Sequence, residues 1–451
     1  MLARPVQGES ADQDAPVRQA SERTVVLVSP YFPPSSVAGV HRARHLAKHL
    51  PAAGWKPIVL CVHESHHQES LDPGLAALVP ETVETAKVAA LPAKLTRPFG
   101  VGDLSLRAWH PLKRALVRLL SVKPVDAVMI TGSPYYPMLF ASEIRRRFKV
   151  PVVLDFQDPW VSAWGAVQRP LSKAGLSHRL ATILEPRALR AADFVTSVSD
   201  IQNEETAARY PWLDGERMAA IPIGGDPDDF TALRDRPPYA SDGELDPSLV
   251  HLAYVGTFLP RSDLLVRVLF RALALLRSQE PALASRIRLH FIGTSNQADE
   301  NLRFRVRPIA DELGVADSIH EIPRRLQFLA ALSWLVRSQG ILLIGSDEPH
   351  YTASKIYPGL MSGRPFLSLF HRASSAHAIL TAAGGGRALS FTTRQELEAL
   401  DLPLAEGLRT LALGPETLGT VDRAAYAPYV AHNIAARFAG IFDRLVAERG
   451  G

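Results

Sequence analysis

Short apolar runs rich in β-branched residues alternate along the chain with stretches whose apolar positions recur every three or four residues. Runs at 24–29, 57–62, 126–131, 152–155, 191–199 and 218–223 predict strands, several of them buried on both faces. A Pro- and Gly-punctuated loop leads from the first run into a helix over 40–50, the opening of a doubly wound sheet. The alternation restarts after a polar stretch at 235–247 that carries three prolines and a glycine. Runs at 251–255, 288–293, 319–323, 340–345 and 366–370 predict a second set of strands, and a long helix is expected over 264–276. The fold class that follows is α/β, with two Rossmann-like doubly wound domains. Their expected bounds are 23–232 and 249–423, after a leader at 1–22 and joined by a linker at 233–248. A last helix within 424–451 bears an apolar stripe of Tyr429, Ile434, Phe438 and Phe442.

Composition narrows the class. At 451 residues, 47% hydrophobic and 21% charged, the chain can bury more than one core, and no apolar run approaches the ~20 residues of a membrane span. The single cysteine, Cys61, excludes an intrachain disulfide framework and a cysteine-based zinc cluster. The polar first 22 residues lack the apolar core of a secretory signal, so a cytoplasmic location is the expectation. A net charge of +4 without a nucleic-acid-binding signature gives no reason to expect nucleic acid as a partner. No Gly-x-Gly-x-x-Gly follows the first strand, which disfavours nicotinamide and flavin cofactors. Residues 105–125 contain no acid but carry Arg107, His110, Lys113, Arg114, Arg118 and Lys123, with Trp109, Leu112, Leu116 and Leu119 at helical spacing. Such a helix can rest on an anionic membrane surface, or pack its apolar side on the sheet and solvate its charges.

Chemistry concentrates where strands end. Lys355 and its neighbours Thr352 and Ser354 lie between the run at 340–345 and a short helix closed by Gly363-Arg364-Pro365, a strand-to-helix junction that suits a phosphate. Asp347, Glu348 and His350 lie in the same loop. Gly39 would let backbone approach a ligand, with Arg42 in the following turn. The run at 152–155 delivers Gln157, Asp158 and Trp160 to the ligand side of the sheet. Asp158 reads either as a site carboxylate or as a helix N-cap before Pro159.

These stretches resemble glycosyltransferase family 4, whose members have the GT-B fold of two Rossmann-like domains facing across a cleft. Ser354-Lys355-Ile356-Tyr357 followed by Gly-Arg-Pro is similar to that family's nucleotide-sugar site. Asp155-Phe-Gln-Asp158-Pro-Trp160 is similar to its Asp-x-Arg-Asp-x-Trp signature, and 30–42 to its opening loop. Ile223-Gly224-Gly225-Asp226 is similar to its Asn-Gly-x-Asp, with isoleucine in place of asparagine. Pro358 stands where many members carry the ribose-binding second glutamate of Glu-x7-Glu, and His350 where they carry the first. The resemblance implies a retaining transferase that moves a sugar from a nucleotide-sugar to an acceptor hydroxyl. The acceptor would be a glycan, a lipid-linked sugar or a small molecule in polysaccharide or glycoconjugate synthesis, handled in the cytoplasm or at the inner membrane face. Arg261 and Lys355 would stabilise the leaving phosphates, and Asp158 would orient the acceptor or take its proton late. Gly256, Thr257, Ser354, Tyr357, Ser374 and Ser375, with Gly39 and Arg42, would line the donor side. No metal or cofactor is implied, and no Asp-x-Asp motif stands in a matching loop. Gln157, Ile223 and Pro358 keep two alternatives open: a nucleotide-sugar-binding protein without turnover, and a GT-B sugar-nucleotide epimerase.

Overall fold

The structure is a computed structural model that describes residues 23–234, 245–295, 303–348 and 354–450. The leader, most of the linker, Asn296, His350 and Thr352 lie outside the described residues.

Two parallel sheets form the frame. The first joins β1 (Arg23–Val28), β2 (Trp55–Val62), β3 (Glu84–Val88), β4 (Ala127–Gly132), β5 (Val152–Phe156), β6 (Phe194–Ser197) and β7 (Met218–Ala220) in the order β3-β2-β1-β4-β5-β6-β7. The second joins β8 (Val250–Val255), β9 (Ile287–Ile292), β10 (Ile319–Ile322), β11 (Gly340–Ile344), β12 (Phe366–His371) and β13 (Gly386–Phe391) in the order β10-β9-β8-β11-β12-β13. Both sheets reverse strand order beside their first strand, at β1/β4 and at β8/β11, and open α/β sheets bind ligands outside the carboxyl ends at such points.

Each sheet is buried on both faces, which explains the unbroken apolar runs. In β1, Val26 and Val28 face one core and Val25 and Leu27 the other, as the period of two requires. The helix Trp109–Val122 inserts Leu112 and Leu116 into the first of these cores. Its Lys113 pairs with Glu143 at 2.7 Å and its Lys123 with Glu84, so the basic helix packs on the sheet. The helices Val40–His49 and Ala431–Gly450 cover the opposite face. The latter lays Ile434, Phe438 and Phe442 on the first sheet, with Phe442 edge-on to Trp55 at 5.2 Å. In the second domain the helices Asp263–Gln279 and Asp401–Leu413 cover one face, and Phe328–Arg337, Ile356–Met361 and Ser375–Ala383 the other. No helix among the described residues is long and apolar enough to cross a membrane.

The domains touch across the carboxyl ends of their strands. Phe328 N–H donates to the Asp72 carboxylate at 2.6 Å, and Arg325 donates to the Ser36 carbonyl. Phe230 and Leu233, from the helix Pro227–Arg234, pack beside the second domain's core.

Candidate functional site

The site forms where the two strand-order reversals face one another. In the second domain, β8 is followed by Gly256, whose φ of +138° is a conformation few other residues adopt. β11 leads round to Lys355, which precedes the helix Ile356–Met361. The aliphatic end of Lys355 lies against Gly256, so that a side chain on that glycine would meet Lys355 Cε at 3.7 Å. Lys355 Nζ donates to the Tyr254 hydroxyl at 2.5 Å and sits 4.1 Å from the centre of the Tyr254 ring. Tyr254 in turn donates to the Thr257 carbonyl at 2.9 Å. No carboxylate among the described residues lies within ion-pair distance of Lys355, and burial pushes its pKa down to about 7. Among the described residues its partners, the Tyr254 hydroxyl and the Ile344 carbonyl, are neutral.

The facing wall comes from the helix Val40–His49 and the segment 223–230. Arg44 makes a two-pronged buried ion pair with Asp229, at 2.6 and 2.7 Å, and donates to His45 Nε2 at 2.8 Å. His41 lies against Phe328 with ring centres 4.7 Å apart and the rings tilted by 46°. Burial first, and then the charges of Arg44 and Arg325, hold His41 neutral well below its ordinary pKa. Two adjoining cavities of about 180 Å³ each lie between the walls. One is bordered by Lys355, Ser354, His45 and Asp229, the other by Gly256, Thr257, Ser295 and Asp72. Ala38, His41, Arg325 and Phe328 border both.

The expected site residues fall into three groups. Lys355, Ser354, Gly256 and Thr257 line the cavities. Gly39, Asp158 and Arg261 stand near strand ends but border neither. Gly39 accepts a hydrogen bond from Gln157 at 3.1 Å, and Gln157 also donates to Thr131 at 2.7 Å, so the glutamine ties the first loop to the sheet. Asp158 is exposed yet crowded by protein, and desolvation raises its pKa. It does not cap the next helix, since Ser162 caps Ala163–Ala166. Arg261 is exposed and held by Asp347 at 2.6 Å and Glu348 at 2.9 Å.

The third group lies away from the cavities, most of it turned inward. Arg42 is fully buried: it pairs with Asp155 at 3.1 Å, donates to the carbonyls of Ile221 and Pro222, and stacks on Phe438. Asp155 also accepts from Thr131 and Thr196, so this pair joins β4, β5, β6 and the terminal helix. Tyr357 lies in the second core against Tyr429, with its hydroxyl buried and unpartnered. Ser374 caps the helix Ser375–Ala383 by accepting from Ala376 N–H at 3.2 Å, while Ser375 is exposed on its first turn. Neither serine borders the cavities.

His41, His45, Asp229, Arg325 and Phe328 were not singled out by the sequence. The signal available was weak: His41 and His45 lie four apart on the helix after the first glycine loop, which puts them on one face. One group of potential metal ligands, His49, Asp226 and Asp228, comes together among the described residues. Lys48 already sits 2.8 Å from both carboxylates, so a metal ion would have to displace its ammonium.

Residues 38–224 match the family model described as a glycosyl transferase 4-like domain. No curated protein matches the chain by sequence. Solved structures match over nearly the whole length. HepE from Anabaena, in complex with UDP and glucose, has a TM-score of 0.56 at 14% identity over 94% of this chain and 100% of its own. OtsA, a trehalose-6-phosphate synthase, has a TM-score of 0.62 at 14% identity over 93% of this chain and 99% of its own. A UDP-forming α,α-trehalose-phosphate synthase from Burkholderia vietnamiensis has a TM-score of 0.56 at 14% identity over 94% of this chain and 99% of its own. What the chain shares with them at such identities is the fold.

Proposed function

We propose that this chain, a glycosyltransferase family 4-like protein of the GT-B fold, moves a sugar from a nucleoside-diphosphate sugar to an acceptor hydroxyl with retention of configuration. The observation that carries the reading is Lys355, a buried amine with no carboxylate partner among the described residues, set beside Gly256 between two facing domains. The costly event in such a transfer is departure of the diphosphate as positive charge grows at the anomeric carbon. A fixed ammonium in a water-poor cleft stabilises the departing phosphate more than the intact donor. The bond from the anomeric carbon to phosphate oxygen breaks, the bond to the acceptor oxygen forms on the same face, and the acceptor's proton leaves to the phosphate or to Asp158.

The backbone N–H of Gly256 is not available to the donor, since it is bonded to the Ile292 carbonyl. The glycine serves by leaving space for Lys355 and a phosphate. Arg261 would join by exchanging Asp347 and Glu348 for the diphosphate; exposed pairs of this kind are worth about 0–1 kcal/mol each. Each cavity is smaller than the roughly 300–1,000 Å³ typical of ligand pockets. Donor entry therefore requires the walls to part at the Arg325–Ser36 and Phe328–Asp72 contacts. Uridine as the nucleoside is supported by the UDP in the HepE complex, and a role in polysaccharide or glycoconjugate assembly by the family resemblance. In this reading fixed positive charge does the work of a metal, and no cofactor is needed.

The test is a mass-shift and transfer screen of the purified chain against nucleotide sugars, with the anomeric configuration of any product read by NMR. Donor-dependent product with retained configuration supports the proposal. Binding without turnover would favour a non-catalytic binder, and a changed sugar without acceptor an epimerase.

A further inference from the structure

The segment that follows β5 carries a surface the first domain does not use for its own packing. From Pro159 to Leu184 the chain has no carboxylate, and Arg169, Lys173 and Arg179 are all exposed. Six large apolar side chains are exposed with them: Trp164, Val167, Leu171, Leu176, Leu180 and Ile183. On the helix Lys173–Leu189, Leu176, Leu180 and Ile183 recur at i, i+4 and i+7 and so share one face. Ala181, Glu185, Ala188 and Leu189 are buried and hold the other face to the domain, where Glu185 accepts from Val161 N–H and from Tyr210.

This exposure is built in rather than the result of loose packing. A side chain on Gly165 would come within 2.6 Å of His178 Nδ1, and one on Gly175 within 2.1 Å of the Arg169 carbonyl. Both glycines thus clamp the short helix Ala163–Ala166 and the 167–171 loop onto the longer helix. Residues 91–99, after β3, repeat the composition, with Leu91, Leu95 and Phe99 exposed beside Lys94 and Arg97. Both segments follow carboxyl ends of strands in one parallel sheet, the end that bears the cleft.

We infer that this hairpin docks the protein on the surface of a bilayer containing anionic phospholipid. Exposed leucines and a tryptophan flanked by cations, with no acid among them, match a helix that lies in the headgroup region. A second copy of the chain is the poorer occupant, because a symmetric contact would set Arg169, Lys173 and Arg179 against their own copies. The surface differs from the helix Trp109–Val122, whose apolar face is already buried. The inference concerns this surface alone and stands apart from the transfer reaction.

The test is co-sedimentation of the full chain with vesicles of phosphatidylcholine, alone or mixed with phosphatidylglycerol. The wild type should pellet with the mixed vesicles and much less with the neutral ones, and added salt should weaken it. Leu176→Ser with Leu180→Ser should lower the partition constant by about tenfold or more, and Lys173→Glu with Arg179→Glu should abolish the preference for anionic lipid. Unchanged circular dichroism and melting would show that these exposed changes leave the fold alone. Failure of the wild type to pellet with any vesicle overturns the inference, as do variants that pellet like the wild type. A solution dimer that Leu180→Asp dissociates, with no vesicle binding, also overturns it.

Discussion

Arg42 and Lys355 occupy comparable places in the two domains, each near the start of a helix beyond a strand that borders the point of strand-order reversal. Their surroundings differ completely. Arg42 meets a carboxylate, two carbonyls and an aromatic ring. Among the described residues Lys355 has a phenol, one distant carbonyl at 3.4 Å and the face of that phenol's ring. A buried cation whose partners are complete is part of the structure, while one that lacks a counter-charge is prepared for an anion from outside.

That contrast can be broken by experiment. The largest effect is expected from Arg42→Ala, which strands Asp155 without its counter-ion. It should cost about 3–5 kcal/mol of stability in denaturant unfolding, and an unchanged midpoint would show that Arg42 is not structural. Lys355→Ala should do the reverse, leaving the melting temperature the same or higher while weakening nucleotide-sugar binding by about 10–100-fold in calorimetry. Equal affinity would remove Lys355 from the donor site.

A pH titration sharpens the same comparison. With the free-protein pKa of Lys355 at about 7, its proton is lost as pH rises through that value, so donor affinity should decline above it. Lys355→Arg, which keeps its charge, should flatten that profile.

A further pH effect belongs to the second domain, where His251 Nδ1 meets His290 Nε2 at 2.8 Å and His290 Nδ1 meets His320 Nδ1 at 3.0 Å. Burial, then its histidine neighbours, pushes the pKa of His290 down to about 3. Because the unfolded chain binds that proton at about 6.5, stability should be complete above that pH and fall as pH drops toward 3. The loss at pH 5 should be about 2 kcal/mol, and His290→Phe should lessen that pH dependence. The smallest effect is expected at Arg261, where Ala should change stability by no more than about 1 kcal/mol, since both its ion pairs are exposed.

The two-sheet plan was legible because central strands such as β1, β4 and β11 are buried on both sides and so are written as plain apolar runs. Edge strands were the weak point. β3, reading Glu-Thr-Ala-Lys-Val, and β13, reading Gly-Arg-Ala-Leu-Ser-Phe, lie at the margins of their sheets, are only partly buried, and left no clear run to find. β7, expected to reach 223, stops at Ala220, because Pro222 has no N–H for the ladder and the Ile221 and Pro222 carbonyls accept from Arg42.

At the site, Lys355 and Gly256 could be placed from local punctuation, since each marks where a strand ends. The inward turn of Arg42 could not, because its partner Asp155 lies on another strand and becomes adjacent only when β1, β4 and β5 align. His41 and Arg325 meet only across the interdomain contact, which no single stretch of sequence encodes.

The helix Ala431–Gly450 supplies Ile434, Phe438 and Phe442 to the first sheet. A nascent polypeptide leaving the ribosome therefore has its amino-terminal half waiting, with the Trp55 side uncovered, until residues 431–450 have been made. Folding of that half is tied to synthesis of the other, and a truncation at the carboxyl terminus should injure the lobe farthest from it in sequence.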